Sequence, residues 1–366
     1  DEAMGDKDGI ARALCSIGVV HKKQGRYSEA LDFAERATTI ARQIGAFDVL
    51  WVARLNAGSA YRALNQSDRA RLSFDEAISV IEAMRTQVAG GEREQQRFFE
   101  DKLSPYHAMV DLLVARNSPT EALTFAERAK ARALLDLLYS GRVNIVKAMT
   151  GQEQERERTL RAELISLNVR MARANQQDKP DQAGLAELKS LQEKARLNYE
   201  AFQTSLYAAH PELKVQRGEA QVIKAEEITA LAPDAGSALL EYVVMDDVTY
   251  LFTITKDVGR AKAEVRAYTL PIKRDDLDKQ TETFWRQLAA RDLGFRGSAA
   301  NLYALLIKPA EAQLRGKTSI VIAPDGKLWD LPFQALLSGP KRFLIEDAAI
   351  SYRPSLAALR EMIKRR

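Results

Sequence analysis

The sequence predicts a multidomain chain: an all-α superhelix of short repeats and an αα-hairpin spacer, then an α/β domain. Three observations carry this prediction. Residues near the amino end match one another forty positions apart, as in Gly18 and Gly58. Leucines between 160 and 174 step at heptad spacing. After Ser237 the pattern changes to β-branched and aromatic runs, among them the unbroken apolar segment Ser319-Ile-Val-Ile-Ala323. A chain of 366 residues is long enough for two or three domains. The expected boundaries are 1–150 for the repeats, 151–222 for the spacer and 223–366 for the α/β part.

In the first region Gly18, Gly25, Ala30 and Ala37 align with Gly58, Asn65, Ala70 and Ala77. Small residues recur where two antiparallel helices must approach closely. Bulkier ones fill the layer between: Ile17, Tyr27, Leu31 and Phe33 in the first copy, Leu55, Tyr61, Leu72 and Phe74 in the second. A third, degenerate copy is expected over Tyr106–Leu138, because Glu121–Ala129 repeats Glu29–Ala37 almost letter for letter. Its first helix should be longer, since Ala122 follows Ala70 by fifty-two residues. The pattern resembles the tetratricopeptide repeat.

Stacked helix pairs of this kind form a concave groove suited to a peptide or a partner helix. The register points Arg12, Cys15, Val19 and Lys22 inward from one helix, and Val52, Leu55, Ser59 and Arg62 from another. Arg12, Lys22 and Arg62 would favour an acidic ligand. The resemblance implies that Asn56 could hold a peptide backbone. Cys15 and Val19 replace the Lys and Asn that a carboxylate-clamping groove would carry. Packing of the repeats against the chain's own later domains fits the same pattern.

Leu160, Leu164, Leu167, Met171 and Ala174 form one seam of the spacer. Asp178-Lys-Pro180 interrupts it, and Leu188, Leu191, Ala195, Tyr199, Phe202 and Leu206 run back at helical spacing. Charged runs such as Glu153–Arg158 read as a solvated face.

In the last region, Ala238–Val244, Thr249–Thr255 and Ala263–Leu270 are three β-rich runs at hairpin separation. Helices are expected over Leu277–Leu288 and Ala299–Gln313, and Ser319–Ala323 should be a strand buried on both faces. Pro324-Asp-Gly326 ends that strand with turn chemistry. Asp330-Leu-Pro332 is expected to start a helix. Phe343–Tyr352 is a further β-like run, and Ser355 can cap a last helix over Leu356–Lys364.

The order and wording of this region resemble the CHAT domain, a caspase-like domain found attached to tetratricopeptide repeats. The matching words are Ala238-Leu-Leu-Glu-Tyr242, Ala323-Pro-Asp-Gly326, Leu331-Pro-Phe333 with Ala335-Leu336, and Leu344-Ile-Glu346 leading into Ile350–Ser355. Upstream, Ala126–Leu137 and His210-Pro-Glu212 match what precedes that domain. The resemblance implies a cysteine endopeptidase of the caspase and separase type, with a histidine after one core strand and a cysteine after the next. A thiolate beside an imidazole is what such chemistry needs. Neither residue type occurs after Ser237. The expectation is therefore an incomplete domain, a gene product that continues beyond Arg366 with the dyad, and no peptidase activity in these residues.

The remaining residues offer no other chemistry. Cys15 and His21 are six apart on one helix, roughly 9 Å along its axis and on different faces. The three histidines, His21, His107 and His210, have no metal-ligand spacing. Arg315-Gly-Lys-Thr318 precedes a strand instead of following one and has Glu311 where a phosphate loop needs glycine. No catalytic, cofactor or metal residue is expected.

Lys and Arg number 54 against 50 Asp and Glu, and the two signs interleave, so direct nucleic-acid binding is not expected. No apolar run reaches membrane-spanning length. The single cysteine fits a cytoplasmic setting. The functional expectation is a partner-sensing repeat region joined to a cysteine-endopeptidase-type domain. The alternative is a non-catalytic scaffold in which the caspase-like layer serves as an interaction platform. Nothing in the pattern specifies an oligomeric state.

Overall fold

The computed structural model describes residues 7–87, 102–137, 149–175, 182–210, 213, 223–232, 234–259 and 262–364. They form two compact units. One gathers the described residues of 1–112 and 131–220; the other gathers 113–130 with the described residues of 221–366.

In the first unit, α1 (Lys7–Lys23), α2 (Tyr27–Ile44), α3 (Phe47–Ala63) and α4 (Ser67–Gln87) pack in sequence. The forty-residue register is visible in the backbone. Gly25 and Asn65 both turn with positive φ, 75° and 60°, where one helix ends and the next begins. In each turn a backbone N–H reaches back five residues, Arg26 to His21 O at 3.0 Å and Gln66 to Tyr61 O at 2.8 Å. Glycine or asparagine is favoured there because the left-handed conformation crowds a Cβ.

The third copy keeps this turn. Asn117 has φ of 54°, and Ser118 N–H donates to Leu113 O at 2.9 Å. Asn117 follows Asn65 by fifty-two residues, the displacement that separates Ala122 from Ala70. The helices on either side are α5 (Ser104–Ala115) and α6 (Pro119–Leu137).

The spacer forms α7 (Gly151–Asn175) and α8 (Gln182–Ala209), which pack on one another. Leu164 and Leu167 meet Ala195, with Leu188 and Tyr199 beside them. The side chains of Met171 and Ala174, and the connection Asp178–Pro180, lie outside the described residues.

The second unit contains the short α9 (Ala225–Ala230) and a five-stranded sheet ordered β3-β2-β1-β4-β7. β1 (Ser237–Val244), β2 (Thr249–Thr255) and β3 (Glu264–Leu270) form an antiparallel meander. β4 (Ser319–Ala323) runs parallel to β1, and β7 (Ala349–Tyr352) parallel to β4. Every residue of β1 is buried. Its Ala238, Leu240, Tyr242 and Val244 share a core with Leu277 and Phe284 of α10 (Arg274–Ala289) and Ala299 and Leu302 of α11 (Phe295–Leu306). Alternation along the strand sends Leu239, Glu241 and Val243 to the opposite face.

Several expectations needed correction, among them Ile17 and Leu72, which are 41% and 68% exposed and do not fill the layer between the helices. The helix expected from Ala299 to Gln313 ends at Leu306, and Lys308–Ala310 and α12 (Glu311–Leu314) follow as separate turns. Pro309 has no N–H to continue the ladder. Asp330–Pro332 starts no α-helix. Single 3₁₀ turns occupy Gly326–Asp330 and Phe333–Ala335, then a hairpin of β5 (Leu337–Gly339) and β6 (Arg342–Phe343). Pro332 keeps Leu331 extended, at φ −82° and ψ 117°, and Leu331, Phe333 and Leu336 are drawn individually into the core. The run Phe343–Tyr352 is divided by a 3₁₀ turn at Leu344–Glu346. Ser355 caps the last helix, α13 (Leu356–Lys364), as expected: its Oγ accepts from Ala358 N–H at 3.1 Å.

The repeat glycines give a test. A Cβ at Gly58 would lie 2.5 Å from Cε1 of Phe74, which is 1% exposed, whereas at Gly18 its nearest neighbour would be Ala30 O at 3.3 Å. Gly58→Ala should therefore cost about 2 kcal/mol in urea unfolding, and Gly18→Ala clearly less. Equal losses would contradict this packing.

Candidate functional site

Two places hold polar groups that packing alone does not require. The first is the repeat region. Arg12 is exposed and paired with Asp8 at 2.8 Å and with Asp48. Arg62 is paired with Asp111. Both guanidinium groups are thus balanced from within the repeats. Lys22 makes no ion pair among the described residues, and burial, with Lys23 alongside, lowers its pKa below the ordinary lysine value. Asn56 is 8% exposed, and its Nδ2 has no hydrogen-bond partner among the described residues. Of the four residues the sequence singles out, Lys22 and Asn56 are the two whose bonding capacity stays open.

Cys15 lies in the helix core with Ala37, Ala41, Val49, Leu50 and Ala53. Burial pushes its thiol up to about 11, opposite to what a nucleophile requires. His21 stacks against Phe33 with ring centroids 5.0 Å apart. His107 is on α5, and His210 at the end of α8 meets Glu153 at 3.1 Å. No group of His, Cys, Asp and Glu suited to a metal occurs among the described residues.

The second place is the sheet face that carries Glu241. This side chain is completely buried in the middle of β1. Two residues of α6, Glu127 and Lys130, one turn apart, come to it. Lys130 Nζ stands 3.2 Å from Glu241 Oε1 and donates to the carbonyl oxygen of Ala323 at 3.1 Å. The Glu127 carboxylate accepts from the backbone N–H groups of Leu356 and Ala357, at 2.9 and 2.8 Å. Those are unpaired donors in the first turn of α13, where a negative charge is favoured.

Two carboxyls and one ammonium in a dry site are unbalanced. Loss of water, then the negative charge of Glu127, pushes the Glu241 carboxyl well above the usual carboxylate range, against the opposing pull of Lys130. The cluster also fixes the ends of two elements and the middle of a third, since Ala323 ends β4, Leu356 begins α13 and Glu241 is central in β1. Just beyond, Asp325 Oδ2 accepts from Val244 N–H at 2.7 Å, and Tyr352 OH accepts from Phe333 N–H at 3.1 Å. Arg360 of α13 is held by Glu227 of α9 at 3.0 Å.

Sequence reasoning placed Glu127 and Lys130 among the words upstream of the last domain and Glu241 in its first strand, without joining them. A signal was present: a glutamate in the middle of a strand otherwise apolar on both faces needs a buried partner.

Comparison with known families fits this geometry. A model described as a tetratricopeptide repeat matches residues 10–44, a second such model matches 53–83, and the CHAT domain model matches 296–366. No curated protein matches the chain. The class is a helical-repeat region followed by an α/β sheet domain. The chain carries two tetratricopeptide repeats followed by a CHAT domain, the TPR–CHAT architecture. No described helix is long and apolar enough to cross a membrane.

The cluster makes two predictions. Burial makes ionising Glu241 harder in the folded protein than in the unfolded chain, where a glutamate ionises near about pH 4.3, so this residue lowers stability as pH rises from that value towards its raised folded pKa. Glu241→Gln retains the shape of the neutral carboxyl. Its stability relative to the parent should climb between pH 5 and 8 by on the order of 1 kcal/mol. Parallel urea-unfolding profiles would refute the assignment. Lys130→Met, by contrast, leaves the buried Glu241 carboxyl without its cation and should cost about 3 kcal/mol at neutral pH. Adding Glu241→Gln should recover part of that loss, which a double-mutant cycle measures.

Proposed function

We propose that the repeats capture a protein or peptide partner, and that the CHAT domain is of the cysteine-endopeptidase type, with the residues of this chain not sufficient by themselves to cleave peptide bonds. The open bonding capacity of Lys22 and Asn56 carries the first half. An ammonium and a buried amide donor, neither with a partner among the described residues, suit a ligand that brings a carboxylate or peptide carbonyls. Arg12 and Arg62, already balanced by acids, would steer such a ligand more than bind it.

The second half rests on residue chemistry. The chemistry implied by resemblance to the caspase type is attack by a cysteine thiolate assisted by histidine. The only cysteine is Cys15, in the repeats, and all three histidines precede the sheet. A buried thiol with a raised pKa supplies no nucleophile at neutral pH. Contact between α6 and the sheet, through Glu127 and Lys130, supports a sensing role. It offers a physical connection between the helix that follows the repeats and the ends of β4 and α13.

Peptides selected from a random display library on the purified chain test the first half. Affinity should fall about tenfold, near 1.4 kcal/mol, in Asn56→Ala and in Lys22→Glu. Selected binders indifferent to both changes would remove the groove reading. For the second half, fluorogenic peptide libraries should show no turnover with the parent chain or with Cys15→Ala. Thiol-dependent cleavage that disappears in Cys15→Ala would overturn it.

A further inference from the structure

The turn between α10 and α11 breaks a rule that the other helix-ending turns keep. Arg291 has φ of 56°, in the left-handed region, and closes α10 as Gly25, Gly45, Asn65 and Asn117 close helices of the repeats. Its N–H donates to Leu288 O at 3.1 Å, and Asp292 N–H reaches Gln287 O at 2.9 Å. Among the described residues every other positive φ belongs to glycine or asparagine. A long side chain strains such a position, and strain of this kind collects where a side chain has a function. Within the chain Arg291 shows none, because its guanidinium has no acidic partner among the described residues. Arg296 is similar. It lies in the first turn of α11, where the helix dipole disfavours a cation and no acid accompanies it. It too has no acidic partner among the described residues.

Apolar surface accompanies these cations. Trp285 and Leu293 are 54 and 78% exposed, although Phe284 beside the tryptophan is fully buried in the core. Tryptophan and arginine are the side chains that most often anchor protein interfaces. We propose that Trp285, Arg291, Leu293 and Arg296 form a docking surface for an acidic segment of a partner protein. Such a segment brings Asp or Glu to the two arginines and an apolar side chain to Trp285. Charge decides the class of occupant: of the three arginines here only Arg286 is matched, by Glu282 at 3.9 Å, which leaves two guanidinium groups for carboxylates. An occupant from outside is what Arg291 calls for, since a strained arginine without a partner in its own unit gains nothing from its position. The surface belongs to the sheet-bearing unit and not to the repeats, so it stands or falls independently of the groove reading.

Random displayed dodecapeptides are the probe, selected on the full chain carrying Lys22→Glu and Asn56→Ala so that groove ligands are not enriched. The selected peptides should be rich in Asp and Glu around an apolar residue. Trp285→Ser and Arg291→Gly should each weaken their binding at least tenfold. Lys308→Gln, which removes an exposed cation beyond the other end of α11, should leave it unchanged. Arg291→Gly separates function from structure: glycine accepts the left-handed conformation, so its urea midpoint should rise above the parent's while binding falls. Circular dichroism checks that each variant folds; if Trp285→Ser fails that check, Arg291→Gly decides. No selectable binder, binders without acidic residues, or affinity indifferent to both variants would overturn the proposal. Two other results would replace the partner. A lower midpoint for Arg291→Gly without peptide would mean that the chain's own residues already hold this guanidinium. A parent dimer that Trp285→Ser converts to monomer in sedimentation would mean a second copy of the chain. Either overturns a partner segment.

Discussion

A lysine and two glutamates buried against a β-sheet dictate how the carboxy-terminal unit is put together. The face of β1 that carries Glu241 cannot be closed by an apolar helix, because a dry carboxyl needs a compensating group. α6 supplies it with Lys130, and the same helix brings Glu127 to the free N–H groups of α13. Segment 113–130 therefore groups with the sheet although more than a hundred residues separate it from β1 along the chain. Through Lys130 the helix is tied to the middle of β1 and the end of β4, and through Glu127 to the start of α13. Replacing it with apolar side chains could give an equally stable sheet. What the charges add is a requirement for one helix in one register.

The repeat position of Glu127 makes the arrangement intelligible. In the near-identical words Glu29–Ala37 and Glu121–Ala129, Glu35 and Glu127 occupy the same place. Glu35 on α2 accepts from Arg54 and from Tyr61 OH, each at 3.1 Å, and so ties α2 to the next helix, α3. Glu127 on α6 ties its helix instead to the start of α13. A position that joins one repeat to the next has become the join between the last repeat-like helix and the sheet domain. The turn that leads into α6, with Asn117 in the left-handed conformation, keeps the geometry of Gly25 and Asn65. Backbone features of the repeat persist where its side-chain partners have changed.

Much of the architecture was legible because local rules determine it. The glycine and asparagine turns, the alanine spacing, the heptad seam at Leu164 and Leu167, and the three strands of the meander follow from periodicity and turn chemistry. The misread segments are those in which tertiary contacts outweigh local preference. Pro332 looked like the first turn of a helix. The buried side chains on either side of it, Leu331 and Phe333, point to the core only if the chain stays irregular. The candidate groove shows a similar limit. A cationic stripe was visible at Arg12, Lys22 and Arg62, but not that Asp48 and Asp111 had already taken two of its members, because those acids lie thirty-six and forty-nine residues away.

These constraints bear on how a signal could pass from helices to sheet. Packed cores respond to a ligand by choosing between discrete arrangements, and a coupling needs an element whose state both ends sense. Helix α6 supplies the sheet side of such an element. Its side chains fix the carbonyl at the end of β4 and the first turn of α13, and its sequence is that of a repeat helix. Rotation of α6 by one residue, about 100°, would withdraw Lys130 from Glu241 and leave a buried carboxyl facing apolar surroundings. Such a state is costly for a charged Glu241 and cheaper for a neutral one, so the charge state of this carboxyl sets how firmly Lys130 fixes the position of α6 on the sheet.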